Sequence, residues 1–243
     1  MKSPSTMQPR TISILLLAAI AVAWIAGLAG LAVRAAVAQE STPGVIGTPS
    51  ASSGCTADAL ATPAAGQIAY SIVSEESAAR YRAQEELAGQ GAAEAVGETT
   101  AIIGTILFDA EGNPQACSRF DVDLRTLQSD EARRDNYLYT NTLETEQYPL
   151  ATFVLTGVEG LDGPLLDGEE TTITLVGELT MHGVTNLVTW NVTATLDGDA
   201  ITGGAVTRFT MPEYNIEEPV VGPVLSVNET VQLEVDITAT RAN

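Results

Sequence analysis

Histidine, cysteine and positive charge are all scarce in these 243 residues: one histidine, two cysteines, and 11 lysines and arginines against 31 aspartates and glutamates. Each shortage removes a class of function. One histidine and two distant cysteines cannot assemble a zinc site from the usual nitrogen and sulfur donors. A serine triad would have to take its base from His182, and no G-x-S-x-G elbow occurs. Acidic clusters such as Asp167, Glu169 and Glu170 lack the spaced loop of a calcium motif and read as solvated surface. From residue 39 onward eight basic residues face 31 acidic ones, a net charge of −23. Such a charge repels nucleic acid and anionic lipid headgroups, so neither is an expected partner. No metal and no cofactor is expected, and the composition favours a binding module over an enzyme.

What is present falls into three parts. Residues 12–33, ISILLLAAIAVAWIAGLAGLAV, carry no charge and follow Lys2 and Arg10. Residues 1–38 therefore read as a signal peptide or a membrane anchor. Ala36-Val37-Ala38 before Gln39 fits a small-x-small processing site, whereas 22 apolar residues are enough to span a bilayer. Either outcome exports the remainder to the periplasm, the outer membrane face or the medium, with membrane contact only through an uncleaved leader. Residues 39–66 are rich in Ser, Thr, Pro and Ala without periodicity and read as a flexible tether. Residues 67–243 are ample for one domain with a real core. An oxidising compartment allows Cys55, in the tether, to pair with Cys117 in the domain; two separate thiols are the alternative.

The domain is built from alternation. In ELTMHGVTNLVTW, residues 178–190, apolar residues occupy every second position on both sides of His182-Gly183. This reads as two amphipathic strands joined by a tight turn, with Gly183 supplying the positive φ and His182 structural at a strand end. Ile68 to Ile72, Ile102 to Phe108, Phe120 to Leu124, Phe153 to Leu155, residues 200–211 and Val231 to Ala239 repeat the pattern. Residues 77–90, SAARYRAQEELAGQ, have helix-forming composition and read as a helix or an irregular strand. Ser129 is placed to cap a short helix, with Asp130 and Glu131 in its first turn. About eight such strands describe an antiparallel sheet closed into a barrel, or a sandwich. A barrel of eight is filled by its own side chains or holds one slim ligand.

Two segments together resemble a known family. RRDNYLYTNTLETEQYPLATFVLTGV followed by GELTMHGVTNLVTWNVTA is similar to the YceI-like family of exported polyisoprenoid-binding proteins. The matching positions are Arg134-Asp135, Tyr148-Pro149, Phe153, and the hairpin from Leu179 to Thr185. The resemblance covers about Tyr70 to Thr240. SEESAARYRAQEEL departs from the family's first strand, and TRFTMPEYNI follows its late segment only loosely. The resemblance implies an all-β, closed, lipocalin-like antiparallel barrel with a short helical excursion, holding a long isoprenoid or prenylquinone chain.

Such a barrel would turn Ile106, Phe108, Phe120, Val122, Phe153, Leu155, Leu175, Leu179, Val188, Trp190, Val192, Phe209 and Val235 inward as an uncharged lumen. Arg133 and Arg134 are candidates for an anionic headgroup, or form surface ion pairs in an acidic chain. The alternative to a carrier is a structural or protein-interaction domain whose core is filled by its own side chains. Amino-terminal sequencing of the native protein tests the export reading. A start at Gln39 is expected for a cleaved leader and an intact Met1 in membrane fractions for an anchor; recovery from cytosol would contradict both.

Overall fold

The computed structural model describes Cys55 and residues 63–242; residues 1–38, read above as a signal peptide or anchor, and most of residues 39–66, read as a tether, lie outside the described residues. Ten strands follow one another: β1 (Ile68–Ile72), β2 (Ala78–Leu87), β3 (Gly91–Thr99), β4 (Ile102–Phe108), β5 (Arg119–Asp123), β6 (Leu150–Glu159), β7 (Glu170–Met181), β8 (Val184–Asp197), β9 (Ala200–Thr210) and β10 (Val224–Arg241). Between β5 and β6 the chain makes its helical excursion, α1 (Ala132–Tyr137) and a π-turn over Leu138–Thr142. No described helix is long and apolar enough to cross a membrane.

The strands pair in the order β1-β4-β5-β6-β7-β8-β9-β10, and β10 returns to β1, so eight strands close into an antiparallel barrel. Closure depends on β10. One of its edges pairs with β9 from Thr230 to Thr240. The other pairs with β2 from Val224 to Asp236, and then with β1 through Ala239, Thr240 and Arg241. β1 and β2 share one edge of β10, with a short helical turn at Ser74–Glu76 breaking the path between them. β2 and β3 extend the wall beyond the eight-strand ring, and β3 is bonded along only one side, apart from the Glu98–Gln128 bridge.

SAARYRAQEEL is therefore a strand and not a helix. Read with period two, it turns Ala79, Tyr81, Ala83, Glu85 and Leu87 one way and Arg80, Arg82, Gln84 and Glu86 the other. On the outer side Arg80 bridges Glu98 and Asp236, and Arg82 bridges Glu94 and Glu234, tying β2 to β3 and β10. Ser129 does not cap α1. Glu131 holds that position, its side chain accepting from the Arg133 backbone N–H at 3.1 Å, while the Ser129 hydroxyl donates to Asp135 Oδ1 at 2.6 Å. A carboxylate at the N-cap reaches the free N–H of the second helical residue, and Ser129 is too far upstream to do so.

The β7–β8 turn is a two-residue loop closed by the Met181–Val184 pair. Both loop residues are left-handed, His182 at φ 51° and Gly183 at φ 74°, which is the geometry of a type I′ hairpin. His182 therefore shares the conformation expected of Gly183 alone. At the other end of the barrel Tyr70, Phe108, Leu165, Ile201 and Ala239 form a packed cluster, with Tyr70 and Phe108 edge to face at 5.5 Å. At that same end Cys55 is joined to Cys117, in the β4–β5 loop.

Two glycines test how tightly the wall is fitted. A methyl group at Gly177 on β7 would overlap the Val154 carbonyl and lie 2.5 Å from the Phe153 ring, whereas Gly157 on β6 has nothing within 4 Å. Gly177→Ala is expected to cost about 1–3 kcal/mol by overpacking and Gly157→Ala to be nearly neutral, measured as denaturant midpoints at unchanged slope.

Candidate ligand-binding lumen

Among the described residues, two cavities lie along the lumen. The inner one, about 140 Å³, is lined by Phe120, Val122, Phe153, Leu175, Leu179, Trp190, Val192 and Val235 among others. The outer one, about 460 Å³, lies under α1 and the β9–β10 loop, and Phe209 belongs to its wall. Tyr81, Leu124, Leu127, Met181 and Leu233 line both and form a waist between them. Nine of the residues expected inside thus border a cavity. The other four do not. Leu155 and Val188 are packed in the core, and Ile106 and Phe108 in the cluster at the closed end. Alternation assigns a side chain to the inner face but not to a height along the barrel axis, and at that height Tyr70, Leu165 and Ile201 fill the space.

The inner cavity stays open because aromatic rings lie against the wall. Phe120 faces Gly104 on β4, Phe153 faces Gly177 on β7, and Tyr81 lies over Gly97 on β3. A methyl group at any of these glycines would meet the ring. Phe153 links the series, stacked on Phe120 at 6.2 Å and edge-on to Trp190 at 6.1 Å.

Polar groups are few and unevenly served. Among the described residues the buried side-chain polar atoms with no hydrogen-bond partner are Tyr81 Oη, Thr142 Oγ1 and Trp190 Nε1. All three belong to residues lining the cavities. A buried donor left unpaired costs about 1–3 kcal/mol, so each lowers the stability of the empty barrel. Burial pushes the Tyr81 phenol up to about 12, with the Arg134 charge opposing the rise, so it stays protonated near neutral pH.

Glu85, on the outer cavity's wall and only 8% exposed, is paired with Arg134 at 3.0 Å. Arg134 also binds Asp130 at 2.6 Å, so it acts as an ion-pairing residue. Arg133 is exposed and borders the same cavity, where Glu85, Asp130 and Glu131 outnumber the two arginines. His182 is held by its neighbours at the β7–β8 turn. Its Nδ1 lies 3.0 Å from the Tyr214 carbonyl, its Nε2 lies 3.2 Å from Glu144, and its ring packs edge-on to Tyr148 at 4.9 Å.

Sequence reasoning missed the β2 contribution: Tyr81, Ala83 and Glu85. The period-two signal was present, but small and charged residues carried it, and these give no apolar stripe. Leu124 and Met181 continue the alternation of Phe120-Val122 and Leu175-Leu179 to the strand ends but were not counted among the lumen residues, and Leu127 lies in a turn, where periodicity says nothing about direction.

The sequence model of the YceI-like domain family matches residues 70–239. A UPF0312 protein of Pseudomonas putida (strain GB-1) is 31% identical over 143 residues, which cover 55% of this chain and 67% of that one. Protein YceI of Escherichia coli O157:H7 is 36% identical over 123 residues, 47% of this chain and 59% of that one. Among solved structures, a polyisoprenoid binding domain from Saccharophagus degradans implicated in plant cell wall breakdown superposes with a TM-score of 0.58 at 16% identity, over 72% of this chain and 99% of that one. Burkholderia cenocepacia BcnA gives 0.56 at 18% identity, over 70% and 99%. At these identities the structural likeness is one of fold.

The Glu85–Arg134 pair gives a test of the mouth. Arg134→Met leaves a carboxylate in a largely apolar wall and is expected to cost about 3–5 kcal/mol. Adding Glu85→Leu removes that charge and is expected to recover most of the loss, measured by thermal unfolding of the single and double variants.

Proposed function

The chain belongs to the YceI-like domain family, and from that membership together with the hollow barrel we propose that it is an exported protein that holds a long apolar lipid chain in its lumen, as carrier, store or sequestering protein. The observation that carries the reading is the inner cavity, walled by aliphatic and aromatic side chains. Burying hydrocarbon there gains about 0.8 kcal/mol per CH₂, so a chain of a few isoprene units suffices for useful affinity. A polyisoprenoid or prenylquinone fits this requirement, and the similarity in fold to a polyisoprenoid binding domain supports it. The competing reading, a barrel closed around its own side chains, sits poorly with a cavity of about 460 Å³ beside one of about 140 Å³. Binding is favoured over catalysis because the lone histidine is engaged with Tyr214 and Glu144 at the hairpin. Export is supported by the apolar run over residues 12–33 and the small-x-small pattern Ala36-Val37-Ala38, whether the segment is cleaved or kept as an anchor.

Mass spectrometry of an organic extract of the purified protein is expected to show a co-purifying long-chain lipid. The two tryptophans are Trp24, in the leader, and Trp190, in the inner cavity wall. In the chain from Gln39 to Asn243 Trp190 is therefore the single reporter, and its fluorescence is expected to change saturably on titration with a prenylquinone. Trp190→Asp is expected to weaken that binding while circular dichroism still shows a folded β protein. A folded wild-type protein that neither carries nor takes up lipid would end the proposal.

A further inference from the structure

We propose that Tyr81 is the specificity-determining residue of the lumen, its phenol donating a hydrogen bond at the waist to a neutral acceptor, such as a carbonyl oxygen, on the bound lipid. The inference rests on the reading of the lumen as a lipid site and adds what the lipid must carry.

Position is the first support. Tyr81 shares the waist with Leu124, Leu127, Met181 and Leu233, and is the only one of the five with a hydroxyl. A chain passing from the outer to the inner cavity passes this ring. The second support is the missing partner: Tyr81 Oη is buried and has no hydrogen bond. Buried hydroxyls in folded proteins are ordinarily paired, and a protonated phenol in an apolar wall can be satisfied by an acceptor on a ligand.

The third support is the way the ring is held. Tyr81 is directly opposite Gly97 in the β2–β3 register. The nearest atoms to a side chain built at Gly97 are all on the Tyr81 ring, with no backbone atom among them. The glycine therefore serves as a seat for this one side chain and fixes where the hydroxyl sits. Trp190 Nε1 adds a second unpartnered donor on the wall of the inner cavity. With Tyr81 it gives the inner cavity's wall two unpartnered donors, which suit a headgroup with more than one acceptor. The acids that outnumber Arg133 and Arg134 at the outer cavity disfavour an anionic head. A neutral carbonyl-bearing head with a long apolar tail meets all of these conditions.

The test is a competition. The full chain is equilibrated with an equimolar mixture of menaquinone-4 and squalene, freed of excess lipid and extracted, and the two lipids are quantified by mass spectrometry. The wild type is expected to retain the quinone in preference. Tyr81→Phe is expected to lower the quinone-to-squalene ratio by about fivefold, the worth of one neutral hydrogen bond, with total lipid unchanged. Because the hydroxyl has no protein partner, thermal stability of the empty variant should be equal to or above that of the wild type. Gly97→Ala, which displaces the ring, should lower the ratio in the same direction. A ratio unchanged in Tyr81→Phe, a wild type without preference for the quinone, or a loss of stability in the empty Tyr81→Phe protein would each overturn the inference and leave the lumen as a lipid site. Retention of neither lipid by the folded wild type would instead remove the lipid-binding reading itself, and this inference with it.

Discussion

Strand β10 offers one edge to β9 and the other first to β2 and then to β1, and this double pairing closes the ring. A sheet closed on itself satisfies the backbone hydrogen bonds of its strands without relying on what lies inside. That separation of duties is what permits a hollow interior. In an open sandwich the two faces must meet across a packed core, whereas here the wall holds its shape through the ladder and the interior is left for another purpose. The packed cluster around Tyr70 and Phe108 supplies apolar burial at one end, so the cavities can occupy the rest.

The bore is set by pairs of residues on neighbouring strands. Tyr81, Phe120 and Phe153 would fill the lumen if they stood upright, and each instead lies against a glycine of the adjoining strand. Glycine within a strand weakens it, and here that weakness is the condition for interior space. The outer surface follows a different economy. Every basic residue after position 39 is an arginine, and Arg80 and Arg82 each reach two carboxylates on neighbouring strands. A planar guanidinium with several donors bridges two acids in a way that a lysine cannot. In a chain of net charge −20 such bridges relieve repulsion between acids on adjacent strands.

Much of this was legible in the sequence where one face of a strand is apolar. The β7–β8 hairpin, with Leu175, Leu179, Trp190 and Val192 inward, follows directly from period two and the His182-Gly183 break. β2 was ambiguous because its inward residues are alanines, a tyrosine and a glutamate, and Glu85 is tolerated inside only because Arg134 arrives from α1, 49 positions later. That dependence on a distant partner has no local signature. Ile106 and Phe108 show a second limit: they are inward, as alternation requires, yet sit where the barrel is plugged and not where it is hollow. The cavities themselves could not be read from composition, since they depend on where rings come to rest, and a ring's resting place is decided across strands.

The open side of β3 has a dynamic consequence. Glu98 is bridged to Gln128, but the strand is otherwise bonded only to β2. Backbone amides along a strand held on one side open at lower free energy than those within a closed ladder. Hydrogen exchange should therefore be faster along Gly91–Val96 than in β7 to β9. This hairpin also carries Ala95 and Leu87, both on the wall of the outer cavity. This part of the outer cavity's wall can thus open locally while the eight-strand ring stays intact, so the volume of that cavity fluctuates on its own timescale, decoupled from the global unfolding of the barrel.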